Sequence, residues 1–134
     1  MDKSDSNRAK QIAQAARAFE QQTTGLLPRS VTVILSEDTL VITLHGTLSP
    51  AEMALAKGPD GAAQLREFHR QLFLTASEPL RREIRRIIGV EVCEATAEVQ
   101  ATTGTVVQMF SLVHPVAADT WSGSDPGPAE RNGN

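Results

Sequence analysis

The sequence predicts an α+β domain. Two hairpins of Val-, Ile-, Leu- and Thr-rich strands, at 30–46 and 90–113, are separated by a long amphipathic helical stretch, and an Ala-rich helix leads the chain. A helix with one apolar stripe and a sheet with one apolar face each need a partner to bury against. The arrangement that satisfies both is a single four-stranded, mainly antiparallel sheet with the helices packed on one face, in the order αββα(α)ββ. The 134 residues, 40% hydrophobic and 22% charged, suit one such core, so 1–114 is read as a single domain.

The first helix is placed at about 7–22, where Ala9, Ile12, Ala13, Ala16 and Phe19 recur every three or four residues and Ser4 to Ser6 offer an N-cap. Gly25 and Pro28 end it. Strands follow at 30–35 and 39–46, joined by Ser36, Glu37 and Asp38; Leu40, Ile42 and Leu44 share the face expected to meet the core. Ser49-Pro50-Ala51-Glu52 then sets a hydroxyl at N-cap, proline at N1 and a carboxylate at N3, which is a capping box. That helix is expected to reach about Ala56, with 58–61 (Gly-Pro-Asp-Gly) as a break.

From about Ala62, the residues Leu65, Phe68, Leu72, Ala76, Leu80, Ile84 and Ile87 keep one apolar register past Pro79. The register predicts a kinked helix rather than a restart from Ser77. Gly89 ends it. Strands at 90–100 and 105–113 form the second hairpin, with Cys93, Ala95, Ala97 and Val99 expected on the inner face. After His114 the Pro-, Gly- and Ser-rich run 115–134, which contains Trp121, predicts a disordered tail.

Several functions are disfavoured by composition. The net charge of −3, with 4% aromatic residues and no tyrosine, argues against nucleic-acid binding. No apolar run approaches the length of a membrane span, so no membrane insertion is expected. Cys93 is the one cysteine, which fits a reducing, cytoplasmic setting and no disulfide framework. His45, His69 and His114 lack metal-pair spacing, so no metal and no cofactor is expected. His69, beside Phe68, reads as a boundary residue, and Cys93 as a small core hydrophobe.

The chemistry-bearing cluster is Arg81, Arg82, Arg85 and Arg86, stacked at i, i+4 on the long helix. Four guanidinium groups there can hold a phosphate, a carboxylate or an acidic partner, although basic residues near a helix C-terminus are also favoured by the helix dipole alone. Glu52 is explained by its capping position, and no second carboxylate is evidently placed to work with it in catalysis, so no catalytic residue is assigned.

Gly25 to Pro28, then Gly46-Thr47-Leu48-Ser49-Pro50-Ala51-Glu52, Leu55-Ala56-Lys57 and Ile88-Gly89-Val90-Glu91-Val92, together resemble the MpsC family over about 7–113. That family is named for a sodium-translocating, membrane-potential-generating system. The resemblance implies a soluble protein associated with membrane transporter subunits that handle cations and inorganic carbon. It implies no catalytic residue, and it marks Gly46, Pro50 and Glu52 as family-motif positions with a structural role. The expected function is a non-catalytic accessory or regulatory module, cytoplasmic or peripheral to the inner membrane, and homodimeric. The alternative is an anion or nucleotide sensor, or an unrecognised enzyme, with a pocket between sheet and long helix.

Overall fold

A computed structural model describes residues 3–116, with side chains from Arg8 onward. The expected tail at 115–134, with Trp121, lies almost wholly outside the described residues. The elements are α1 (Lys3–Thr24), β1 (Ser30–Ser36), β2 (Thr39–His45), α2 (Pro50–Leu55), α3 (Pro59–Ala76), α4 (Glu78–Ile88), β3 (Val92–Gln100) and β4 (Thr105–Leu112). The strands form one antiparallel sheet in the order β1-β2-β4-β3, so the second hairpin docks its last strand against the first hairpin. The α+β class and the two hairpins flanking a helical middle are as the sequence predicts, with three helices there in place of two.

Register divides the sheet cleanly. Facing the helices are the rows Leu35–Leu40–Phe110–Ala95, Val33–Ile42–Gln108–Ala97 and Val31–Leu44–Val106–Val99. Facing away are Ser36–Thr39–Ser111–Glu94, Ile34–Val41–Met109–Thr96 and Thr32–Thr43–Val107–Glu98. α1 lies against β1 and α4, and α3 against β3, all on the inner side. The core they close over includes Ile12, Phe19, Leu65, Phe73, Leu80, Ile84 and Phe110. Phe73 joins helix to sheet, meeting Phe19 and Phe110 edge-on at centroid distances of 6.0 and 5.9 Å.

Four local expectations are corrected. α1 starts at Lys3, so Ser4 to Ser6 lie inside the helix rather than capping it. α3 starts at Pro59, with Gly58 as its N-cap, because proline suits N1 and the break is therefore confined to the residues before it. The long helix is interrupted at Ser77, which keeps a right-handed backbone (φ −80°, ψ −6°) but makes no side-chain cap; the interruption lets α3 follow β3 while α4 turns to α1.

Cys93 is displaced from the inner face by a bulge. Val92 pairs with Leu112 and Glu94 with Ser111, so two strand positions on β3 span one on β4 and Cys93 is the extra residue of a bulge. Side-chain parity is reversed on its N-terminal side. Val92 therefore points into the core and Cys93 is exposed, its Sγ 3.2 Å from the Ser111 carbonyl.

Candidate functional site

The capped turn after β2 is where the family-motif residues meet. Gly46 takes φ +68°, a left-handed backbone that side chains rarely adopt, and a Cβ there would also press within 3.1 Å of Arg29. The turn sends Thr47 inward, where it is fully buried and its N–H and hydroxyl both reach the Gly104 carbonyl of the β3–β4 turn. Ser49 accepts from the Glu52 N–H at 3.1 Å, Glu52 Oε1 accepts from the Ser49 N–H at 2.8 Å, and Pro50 occupies N1. The predicted capping box is present.

Glu52 does more than cap. Its second oxygen, Oε2, lies 2.9 Å from Nε2 of His69 on α3. An ionised carboxylate only accepts hydrogen bonds, so the ring proton sits on Nε2 and the pair pins α3 to the start of α2. Burial alone would lift the Glu52 carboxyl, but the Ser49 N–H and His69 outweigh it and hold its pKa below the ordinary carboxylate value.

His69 is buried, at 6% exposure, and it replaces Phe68 on the inner stripe, which runs Ala62, Leu65, His69, Phe73. Phe68 is 57% exposed and packs edge-on to the His69 ring. One turn further on, Phe73 likewise takes the inner place expected of Leu72, and these departures from the predicted stripe share one cause. A four-residue step from Leu65 selects His69 where a three-residue step selects Phe68, and Glu52 supplies the acceptor that makes a buried imidazole tolerable.

Two further polar side chains are buried beside His69. Glu20 of α1 is 3% exposed; burial pushes its carboxyl above the ordinary value, offset only in part by His69 and the Thr24 hydroxyl. Gln108 of β4 is 1% exposed, and its Oε1 has no hydrogen-bond partner among the described residues. Glu20, His69 and Gln108 line a cavity of about 20 Å³ together with Phe19, Phe73 and Ala97. That is room for roughly one water molecule. Sequence reasoning missed this cluster, although its spacing was visible: Glu20 follows Ala16 by four, His69 follows Leu65 by four, and Gln108 alternates with Val106 and Phe110.

The predicted basic face is present on α4 but is largely matched by carboxylates. Arg81 donates to the Val92 carbonyl at 3.3 Å; Arg82 pairs with Glu78 at 3.7 Å, Arg85 with Glu91 at 2.9 Å and Arg86 with Glu83 at 2.8 Å. The Arg82, Arg85 and Arg86 side chains are all more than 60% exposed. Open hollows of about 270 and 380 Å³ flank them, the first lined by Glu78 and Glu91 as well as by arginines. An anion entering that first hollow would compete with carboxylates already in place.

The outward sheet face differs in chemistry. Across β1, β2 and β4 its side chains are Ser30, Thr32, Ile34, Ser36, Thr39, Val41, Thr43, His45, Val107, Met109 and Ser111, with His45 the sole titratable group; Glu94 and Glu98 enter only on β3. Ile34 and Met109 are 51% and 47% exposed, and no described element covers them.

Fold and sites together define a small α+β domain with a capped turn locked onto a buried histidine, an ion-paired helix face and one bare, nearly charge-free sheet face. The chain belongs to the MpsC family, whose model, described as the Na+-translocating membrane potential-generating system (MpsC), matches residues 4–114. It is similar to the uncharacterized protein YbcI of Bacillus subtilis (strain 168), with 25% identity over 112 residues covering 84% of this chain and 90% of that protein. No solved structure matches it.

Proposed function

We propose that this chain is a non-catalytic accessory protein of a Na+-translocating membrane system, acting as a homodimer that docks on the cytoplasmic side of a membrane-embedded partner handling cations or inorganic carbon. The observation that carries this is the bare sheet face. In a chain with 22% charged residues, three adjacent strands present a charge-depleted surface with Ile34, Val41 and Met109 in one row. Depletion of charge around exposed apolar side chains is the composition of a protein-contact surface. Among the described residues no helix is long and apolar enough to cross a membrane, so a protein partner is the simplest route to the membrane system that the family description names.

The competing role as an anion or nucleotide sensor is less well supported by the geometry. The cavity between α3 and the sheet has room for about one water and is lined by a carboxylate. The larger open hollow of about 630 Å³ between α1 and the α3–α4 junction is lined mainly by apolar groups such as Phe19, Pro79 and Leu80, with Glu83 as its charged residue and no cation among the described residues that line it. The arginines of α4 already face Glu78, Glu83 and Glu91. Docking is tested by isolating the tagged chain from gently solubilised membranes of its own host and identifying the integral membrane proteins retained with it. Wild type should retain a transporter subunit, and Thr43→Lys/Met109→Lys should lose it at unchanged thermal stability. Equal retention by the variant would mean that the sheet face is not the docking surface. Absence of any membrane partner, combined with selective thermal stabilisation by one anion, would favour the sensor.

A further inference from the structure

The two edges of the sheet are unlike, and the difference identifies how a second copy would join. β3, at one edge, carries the devices that discourage strand addition: the bulge at Cys93 and the exposed carboxylates of Glu94 and Glu98. Antiparallel pairing of β3 with its own copy, centred on Thr96, would set Glu94 directly opposite Glu98 of the other copy, and like charges in opposed positions are unfavourable. β1, at the other edge, has none of these devices. Its seven residues, Ser-Val-Thr-Val-Ile-Leu-Ser, include no charge, no proline and no bulge, and every second residue turns its N–H and C=O away from β2.

We infer that β1 is the homodimer interface, pairing antiparallel with β1 of a second copy about a two-fold axis at Val33 to make one continuous eight-stranded sheet. This rests on the dimer proposed above and supplies its surface and register. A two-fold perpendicular to the sheet keeps both helical layers on the same side, so opposed residues must share a face and the sum of their numbers must be even. Centring on Val33 satisfies this and uses the whole strand: Ser30 meets Ser36, Val31 meets Leu35, Thr32 meets Ile34, and Val33 meets Val33.

The register is self-complementary on both faces. Val31, Val33 and Leu35 are only half-buried at the edge of the core; paired this way they extend the inner apolar rows across the axis. On the outer face Thr32 and Ile34 alternate across the joint, and the charge-free surface continues from one copy into the other. Main-chain hydrogen bonds supply the attraction, and the apolar inner row fixes the register, because a slip by one residue would set side chains of opposite faces against one another.

Two variants test this, with sedimentation or light scattering at micromolar concentration as the readout. Wild type should be a dimer. Thr32→Lys/Ile34→Lys puts ammonium groups opposite one another twice, at positions exposed in the single copy, and should give a monomer with a thermal transition close to wild type. Thr32→Cys/Ile34→Cys in a Cys93→Ser background should form a covalent dimer on mild oxidation, since directly opposed strand residues approach disulfide distance. A dimer that survives the lysines and forms no disulfide overturns β1 pairing while leaving the dimer itself standing. A monomeric wild type overturns both.

Discussion

Replacing Glu52 with alanine should be unusually costly for a partly exposed surface residue, because two structural ties end on its carboxylate. Oε1 accepts the Ser49 N–H of the capping box and Oε2 takes the His69 Nε2 proton. Losing the first removes a hydrogen bond that water can partly replace, since the Glu52 side chain is 23% exposed; about 1 kcal/mol is expected. Losing the second leaves the N–H of a nearly buried imidazole without an acceptor, which costs about 1–3 kcal/mol. Partial access of water favours the lower half of the sum, about 2–3 kcal/mol, or a fall in Tm of roughly 8–12 °C for a domain of this size. The control is Ser49→Ala, which removes only the hydroxyl cap and should cost about 1 kcal/mol.

The folded pKa of Glu52 is depressed, so its contribution is present above the unfolded carboxylate pKa and is lost as pH falls through the folded value. The gap between wild type and Glu52→Ala should therefore narrow in acid. The assay is thermal or urea unfolding across pH, with a double-mutant cycle against His69→Leu. Additive costs in that cycle, or Glu52→Ala no worse than Ser49→Ala, would refute a joint role for the carboxylate.

Glu20 has the opposite sign. Its folded pKa is raised, so its contribution is present below the unfolded value and lost as pH rises through the folded one; Glu20→Gln should raise Tm by a few degrees at neutral pH and by less in acid, read by unfolding scans at both. Gly61→Ala should lower Tm markedly, because a Cβ there would run into the Leu55 carbonyl and lie 2.9 Å from Leu55 Cδ1, forcing α2 and α3 apart. Cys93 should react with a thiol reagent in the native protein at the rate of an exposed cysteine; protection until denaturant is added would mean that the β3 bulge is wrongly placed. Arg82→Ala/Arg86→Ala should leave unfolding nearly unchanged, since both make exposed ion pairs, and a large loss of stability would contradict a merely solvated face.

The legible parts of the sequence were those with one strong local pattern. Leu40, Ile42 and Leu44 alternate without interruption and lie inward as expected, and Ser49-Pro50-Ala51-Glu52 caps α2 as its spacing requires. Where two patterns competed, apolarity misled. Phe68 was favoured over His69 because a buried imidazole needs an acceptor, and that acceptor, Glu52, lies seventeen residues away on another element. Cys93 was misplaced because strict alternation has no means of marking a bulge. The arginines of α4 were visible as a cluster, but their neutralisation was only half visible: Glu78 and Glu83 share the helix, whereas Glu91 arrives from beyond its end. Strand order depends on which hairpin edges meet, and no local pattern records that.

If this domain serves a Na+-translocating membrane system by binding through the bare sheet face, as proposed above, its loss should lower the potential that the system sustains. The most direct measurement is Na+-dependent membrane potential, followed with a potential-sensitive dye in host cells from which this chain has been deleted. The potential should fall in the deletion strain, return with wild type, and fail to return with the stably folded Thr43→Lys/Met109→Lys variant. An undiminished potential in the deletion strain, or full recovery with that variant, would contradict the claim.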